Sequence, residues 1–254
     1  MYMVENIVHA NKLIKIYGKV KAVNGVSLNI IKGEVFGILG PNGAGKTTTL
    51  EMIEGIRPID SGTVAVAGYD VKKQTNKVRD VIGVQPQAPA FQDKTTAQEV
   101  LELFAAAYGK KIDSLELLAK VALTDKADTY TERLSGGQLQ RLSIAAALVH
   151  QPQVLFMDEP TTGLDPQARR NIWGLVKSIK KQGITVVLTT HYMEEAEKLC
   201  DRVAIMDKGQ IITVDTPNNL IDALITRGFK KKKQVAQASL EDVFIDLTGK
   251  ELRD

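Results

Sequence analysis

The chain has 254 residues and a formal net charge of +3, too small a surplus to argue for nucleic acid by itself. With 44% hydrophobic and 25% charged residues it has the composition of a globular protein able to bury a full core. Cys200 is the only cysteine, which excludes an internal disulfide and fits a reducing compartment. We place it as a small buried residue on an apolar helix face. Met1–Ala10 carries Glu5 and lacks a basic segment followed by an apolar core, so no signal peptide is expected there. No apolar stretch approaches the roughly 18 residues that cross a bilayer, so any membrane work would run through partners.

In chain order, Ile7–Tyr17 and Gly25–Ile31 are rich in Val and Ile and read as strands, with a turn at Lys32-Gly33. Glu34–Leu39 is a short apolar run that meets a glycine-rich loop, and Lys46–Glu54 reads as a helix. Gly62–Ala67 alternates like a further strand. From about Phe91 to Val149 the pattern turns helical: Ala97, Val100, Leu101, Phe104, Ala105 and Tyr108 follow the i, i+3, i+4, i+7 stripe. A second helix follows around Ser114–Val121. Alternation then resumes through Val154–Met157, Pro166–Lys181, Ile184–Thr189, Met193–Leu199 and Arg202–Asp207. Alternating strands and helices imply a parallel sheet with covering helices, interrupted by an inserted helical section. Near the end, Thr216-Pro217 places proline at a first helical position. A last amphipathic helix is expected from Ser239, with Leu240, Val243, Phe244 and Leu247 on one face. Lys230–Lys233 reads as a solvated turn, or as a contact with an acidic membrane surface.

Three segments carry chemistry. Gly40-Pro41-Asn42-Gly43-Ala44-Gly45-Lys46-Thr47 matches G-x-x-x-x-G-K-[ST], after a strand and before a helix. Glycines let successive N–H groups form an anion nest reinforced by the helix N-terminus. Lys46 supplies charge for the β- and γ-phosphates, and the Thr47 hydroxyl an oxygen for Mg²⁺. An Asn-Lys-x-Asp element for guanine is lacking, since Asn76-Lys77-Val78-Arg79 has no Asp, and adenine is favoured. Val154–Glu159 reads as a buried strand whose two carboxylates emerge at its C-terminal mouth, the edge where open α/β sheets bind ligands. Asp158 there suits Mg²⁺ through a water, and Glu159 suits polarising the attacking water. A third segment, Leu134-Ser135-Gly136-Gly137-Gln138, opens a helix; Ser135 reads as its N-cap and the end as a second anion site.

In this order and spacing, the three segments resemble the nucleotide-binding subunit of ABC transporters over almost all of residues 3–215. Gly40–Thr47 resembles Walker A, Val154–Glu159 Walker B, and Leu134–Gln138 the family signature. The resemblance implies an α/β P-loop NTPase fold with a parallel core sheet, an N-terminal antiparallel β-subdomain and an inserted α-helical subdomain at about 88–150. It implies an ABC-type ATPase domain over 1–220 and a short C-terminal extension over 221–254. Tyr17 resembles the aromatic that stacks on adenine. Gln87 resembles the glutamine that senses Mg²⁺ and links to the membrane partner; Gln85 is its rival, and Gln87 is preferred because it follows Pro86. Asp165 in Gly163-Leu164-Asp165 resembles the loop coupling the halves of a dimer. His191 resembles the switch histidine, at the ligand edge of the sheet. His9 and His150 are assigned nothing.

The resemblance further implies ATP and Mg²⁺ as cofactors, with Glu159, His191 and Gln87 catalytic and Thr47, Gln87 and Asp158 around the metal. Gly40–Thr47, Thr48, Tyr17, Ser135–Gln138 and Asp165 would contact nucleotide. It implies head-to-tail pairing with a second nucleotide-binding subunit, identical or sibling, and a separate integral membrane permease. No nucleic acid is expected. The place would be cytoplasmic, peripheral on the inner face of the cell membrane. The tail Ala238–Phe244 with Leu247-Thr248-Gly249 resembles the ending of bacterial drug-export or ABC-2-like subunits. The alternative is an ABC ATPase acting on ribosomes or DNA, against which stand the single domain and the absence of long heptads. A non-hydrolysing module is disfavoured by the presence of Glu159, His191 and Gln87.

Overall fold

A computed structural model describes residues 5–229. The expected helix from Ser239 and the Lys230–Lys233 run lie outside the described residues. The chain divides into two compact units, Met1–Asn218 and Asn219–Asp254. The first unit begins with β1 (Asn6–Tyr17) and β2 (Val20–Ile31), and then β3 (Val35–Leu39), which leads into α1 (Lys46–Glu54). There follow β4 (Ser61–Val66), β5 (Tyr69–Asp70), α2 (Thr75–Val81) and β6 (Ile82–Gln85). The helical section is α3 (Ala97–Ala107), α4 (Ser114–Lys120) and α5 (Gly136–Leu148). Then come β7 (Val154–Asp158), α6 (Pro166–Lys181), β8 (Thr185–Thr190), α7 (Met193–Leu199), β9 (Arg202–Asp207) and β10 (Gln210–Asp215). α8 (Pro217–Thr226) starts at the proline that the sequence marks and runs into the second unit, where Gly228 at φ 86 closes it with its N–H on the Ile225 carbonyl.

Two sheets result. The first is antiparallel, in the order β2-β1-β4-β5. The second has the order β10-β9-β3-β8-β7-β6; its five strands from β9 to β6 run parallel, and β10 adds antiparallel at the edge. β3, β7 and β8 are buried along their whole length, as strands covered on both faces are, so their sequences do not alternate; β7 carries its acid only at the end and β8 its threonines at both ends. Register fixes the site. Leu39 of β3 lies opposite Thr190 of β8, and Thr189 of β8 lies opposite Asp158 of β7. The C-terminal ends of three central strands therefore finish at one level, and the loops that follow them meet there.

Several boundaries differ from the sequence reading. β2 begins at Val20 rather than Gly25, because its N-terminal half pairs with Ile14–Tyr17 of β1. Four short elements, β5, α2, β6 and β10, are absent from the sequence reading; β5 and β6 have only two and four residues. Cys200 is buried but sits one residue past α7, not on its face, with its sulfur against Gly37 of β3; a Cβ at Gly37 would stand 2.6 Å from Sγ. The stripe of α3 is buried at Ala97, Val100, Leu101 and Ala105, while Tyr108 stays exposed and stacks on His150 with ring centroids 3.9 Å apart.

Candidate functional site

The loop between β3 and α1 is shaped by two glycines. A Cβ at Gly40 would stand 2.2 Å from the Met206 carbonyl oxygen. Gly45 has φ +100, and a Cβ there would meet the Ala22 carbonyl oxygen at 2.3 Å, so both backbone and space demand glycine. Gly45 is also the N-cap of α1 and offers no side chain to the helix end. The first N–H groups of α1 are thus left for a ligand, at the positive end of the helix. Lys46, 5% exposed, folds back along its own loop: Nζ donates to the Gly40 carbonyl at 3.0 Å and the Pro41 carbonyl at 3.2 Å.

The same ammonium lies 3.2 Å from Oε1 of Glu159, the first residue after β7. Glu159 has φ +44, an uncommon conformation for a side-chain-bearing residue and a form of strain that gathers at functional sites. Its N–H donates to Thr189 Oγ1 at 2.9 Å, which anchors this turn to β8. Its Oε2 accepts from Gln87 Nε2 at 3.2 Å and Thr162 Oγ1 at 3.1 Å, and His191 Nδ1 approaches it at 3.3 Å. That approach is not a hydrogen bond, and His191 Nδ1 is buried without a hydrogen-bond partner among the described residues. Burial opposes the Glu159 charge, but His191 and Lys46 outweigh it and hold the carboxyl below its ordinary range, so it is ionised at neutral pH.

Asp158 accepts from Thr47 Oγ1 at 3.2 Å and from the Thr189 hydroxyl. Burial pushes its carboxyl up; these two hydrogen bonds pull it down, and the Glu159 charge adds to the rise. Glu54, at the end of α1, is 4% exposed, and burial followed by repulsion from Asp158 and Glu51 raises it to about 8. The donor set at Thr47 and Asp158 fits Mg²⁺: oxygens only, with no group of three or more His, Cys, Asp or Glu among the described residues. A hard ion that takes most of its ligands from phosphate and water needs no more.

An open cleft of about 440 Å³ lies over the loop, lined by Tyr17, Ala22, Asn42, Gly43, Gly45, Lys46, Thr47, Thr48, Gln87 and Glu159. The structure thus brings Tyr17, the loop, Gln87 and Glu159 to one cavity, with Asp158 and His191 behind it. Tyr17 is 42% exposed at the rim, with Lys15 Nζ 5.6 Å and Arg57 Cζ 5.7 Å from its ring centroid. Gln85, the rival of Gln87, is fully buried in β6 and its amide turns to the Pro86 carbonyl, away from Glu159. A second cavity of about 380 Å³ lies at the opposite edge, beside Gln153 and Gly183 before β7 and β8, and no carboxylate lines it.

Ser135–Gln138 line neither cavity. Ser135 caps α5 as expected, in a reciprocal box: Ser135 Oγ accepts from the Gln138 N–H at 3.3 Å, and Gln138 Oε1 accepts from the Ser135 N–H at 2.9 Å. The N–H groups of Gly136 and Gly137 stay outside that box. Asp165 caps α6, accepting the Ala168 N–H at 2.8 Å.

Sequence reasoning missed the threonines that hold the carboxylates, Thr162 and Thr189, and a buried clamp behind them. Glu195 of α7, 0% exposed, accepts from Thr161 Oγ1 at 2.9 Å and Trp173 Nε1 at 3.0 Å, and so ties the turn after Glu159 to α6 and α7. The Thr189-Thr190 pair at a strand end was a visible signal; the clamp joins residues too far apart in sequence to give one.

A strand–loop–helix phosphate cradle facing two carboxylates at the mouth of a parallel sheet defines a P-loop nucleotide-binding domain. The sequence profile of the ABC transporter family matches residues 23–162. The chain is 45% identical over 223 residues to the linearmycin resistance ATP-binding protein of Bacillus subtilis (strain 168), covering 86% of this chain and 72% of that protein. It is 43% identical over 224 residues to the Nod factor export ATP-binding protein I of Paraburkholderia xenovorans (strain LB400), covering 86% and 74%. Its fold matches a dimeric ATP-binding cassette in a post-hydrolysis state bound to ADP and Pi, with TM-score 0.75 and 29% identity over 83% of this chain and 98% of that one. The chain belongs to the ABC transporter family, as an ATP-binding subunit.

Proposed function

We propose that this chain hydrolyses ATP as the motor of an exporter, working in a dimer against a separate membrane permease. The observation that carries hydrolysis is the convergence of Lys46, Gln87, Thr162 and His191 on the Glu159 carboxylate at the mouth of the phosphate cradle. In this reading the phosphates enter the nest, and Lys46 leaves the carbonyls of Gly40 and Pro41 for them. Tyr17 stacks on the base at the rim of the cleft. Thr47 and Asp158 would hold Mg²⁺, with Gln87 beside it, and the ion would supply neutralisation of the phosphate charge. Glu159 orients and polarises the attacking water, and His191 contacts the γ-phosphate.

Ser135–Gln138 stand apart from the cleft, so the second anion site serves a partner's nucleotide, in a head-to-tail pair with two-fold self-complementarity. The cassette of similar fold that binds ADP and Pi is dimeric, which supports this arrangement. Asp165, at the start of α6 beside α5, would sit where the two halves meet. Among the described residues no helix is long and apolar enough to cross a membrane. The names of the two relatives, one for linearmycin resistance and one for Nod factor export, support export. Gln87 and the α3–α5 section would receive the permease.

The test is turnover. Purified chain should hydrolyse Mg-ATP, and Glu159→Gln should lower kcat by about 100-fold or more while ATP binding is retained. Normal turnover by Glu159→Gln would show that Glu159 is not the group that activates water.

A further inference from the structure

His191 is held loosely by its own hydrogen bonds, since Nδ1 has none. Besides the 3.3 Å approach to Glu159 Oε2, its ring meets Tyr192, whose centroid lies 4.2 Å away at an interplanar angle of 41°. The guanidinium of Arg169, from the first turn of α6, stands 4.7 Å from the Tyr192 ring centroid, within cation–π range. The same guanidinium donates from Nη2 to the Leu164 carbonyl at 3.4 Å, in the loop that precedes α6. Its Nε is buried without a hydrogen-bond partner among the described residues, so the Tyr192 ring and the single bond to Leu164 are the contacts that place this guanidinium. That loop also abuts the second glycine-bearing helix end: a Cβ at Gly136 would meet Leu164 Cδ2 at 3.9 Å, and one at Gly137 would meet Ala168 Cβ at 3.1 Å.

We propose that Arg169 and Tyr192 are positioning residues for His191, a stack that sets the switch ring from the loop at Leu164–Asp165. The proposal rests on the reading of His191 as the γ-phosphate contact. Without Arg169, the Tyr192 ring loses the cation that orders it, and the His191 ring loses a ring neighbour held in a defined place. A loop position altered by a partner at Ser135–Gln138 would then reach Glu159 through Arg169, Tyr192 and His191. All three side chains of the stack are partly exposed, so substitutions there should leave the core intact.

Steady-state kinetics of the full chain with Mg-ATP tests this. Arg169→Gln and Tyr192→Ala should each lower kcat about five-fold with KM for ATP changed less than about two-fold. Tyr192→Phe should restore the rate, because the ring and not the hydroxyl carries the stack. In a His191→Ala background, followed by single turnover with protein in excess, adding Arg169→Gln should change the rate less than about two-fold. A wild-type kcat in Arg169→Gln, an equal five-fold fall in the His191→Ala background, or losses that follow the melting temperature would each overturn the proposal. A full rate in His191→Ala alone would instead refute the reading of His191 itself.

Discussion

Two helix N-termini in this chain carry glycines, and they are built differently. At α1 the glycines are required by the fold: Gly45 is left-handed and pressed against the Ala22 carbonyl, and no side chain caps the helix. At α5 the end is capped by the Ser135–Gln138 box, and Gly136 has ordinary backbone geometry and only a 3.9 Å neighbour to its would-be Cβ. Glycine at a helical position costs roughly 1 kcal/mol against alanine, so the chain's own packing gives no reason for it at Gly136. The first end is furnished from within by Tyr17, Gln87 and Glu159. The second is exposed and made for an approach from outside. On the proposed head-to-tail pairing, the two ends would be two halves of one site on two faces of one subunit.

The sharpest way to break this comparison is Gly136→Asp. An acid in the first turn favours the helix dipole and finds space, so the melting temperature should hold or rise. Turnover should fall about 100-fold, because the charge faces the partner's γ-phosphate, while nucleotide binding to the monomer is unchanged. Lost stability in a thermal melt, or lost monomer binding, would mean that the glycine serves the fold after all. At the first end the expectation reverses. Lys46→Ala should weaken ATP binding by about 10- to 100-fold, read by calorimetry, since it removes a charge-assisted contact to phosphate.

A smaller effect separates the two helices by pH. Glu54 closes α1 in a buried setting and has its pKa raised from 4.5 to about 8. A carboxyl raised on folding binds its proton more tightly in the native state, so its contribution is fully present below 4.5 and is lost as pH rises toward 8. Stability of the nucleotide-free protein should therefore fall between those values, and Glu54→Gln should flatten that slope, removing a fall of at most about 5 kcal/mol across the range. Parallel slopes for the two proteins in urea titrations would show that Glu54 is ionised throughout.

Much of this was legible in the sequence, for a physical reason. Phosphate binding by backbone N–H groups forces a spelling at Gly40–Thr47, and a strand buried on both faces leaves its charges only at the mouth, as at Asp158 and Glu159. The ends of α1, α6 and α7 were legible because a glycine, a proline or a switch in period stands at them. The supports were not. Thr189 holds the Asp158 carboxylate and the Glu159 backbone N–H through register between β7 and β8, and Glu195 meets Thr161 and Trp173 only once three elements pack. β5 and β10 became strands by pairing with neighbours, at β4 and β9, rather than by any period of their own.

The most direct test of the two-half account is the mass in solution of Glu159→Gln, by light scattering, with and without Mg-ATP. The account requires a monomer without nucleotide and a stable dimer with it, reverting to monomer when Gly136→Asp is added. A variant that binds Mg-ATP at Gly40–Thr47 and stays monomeric would contradict it.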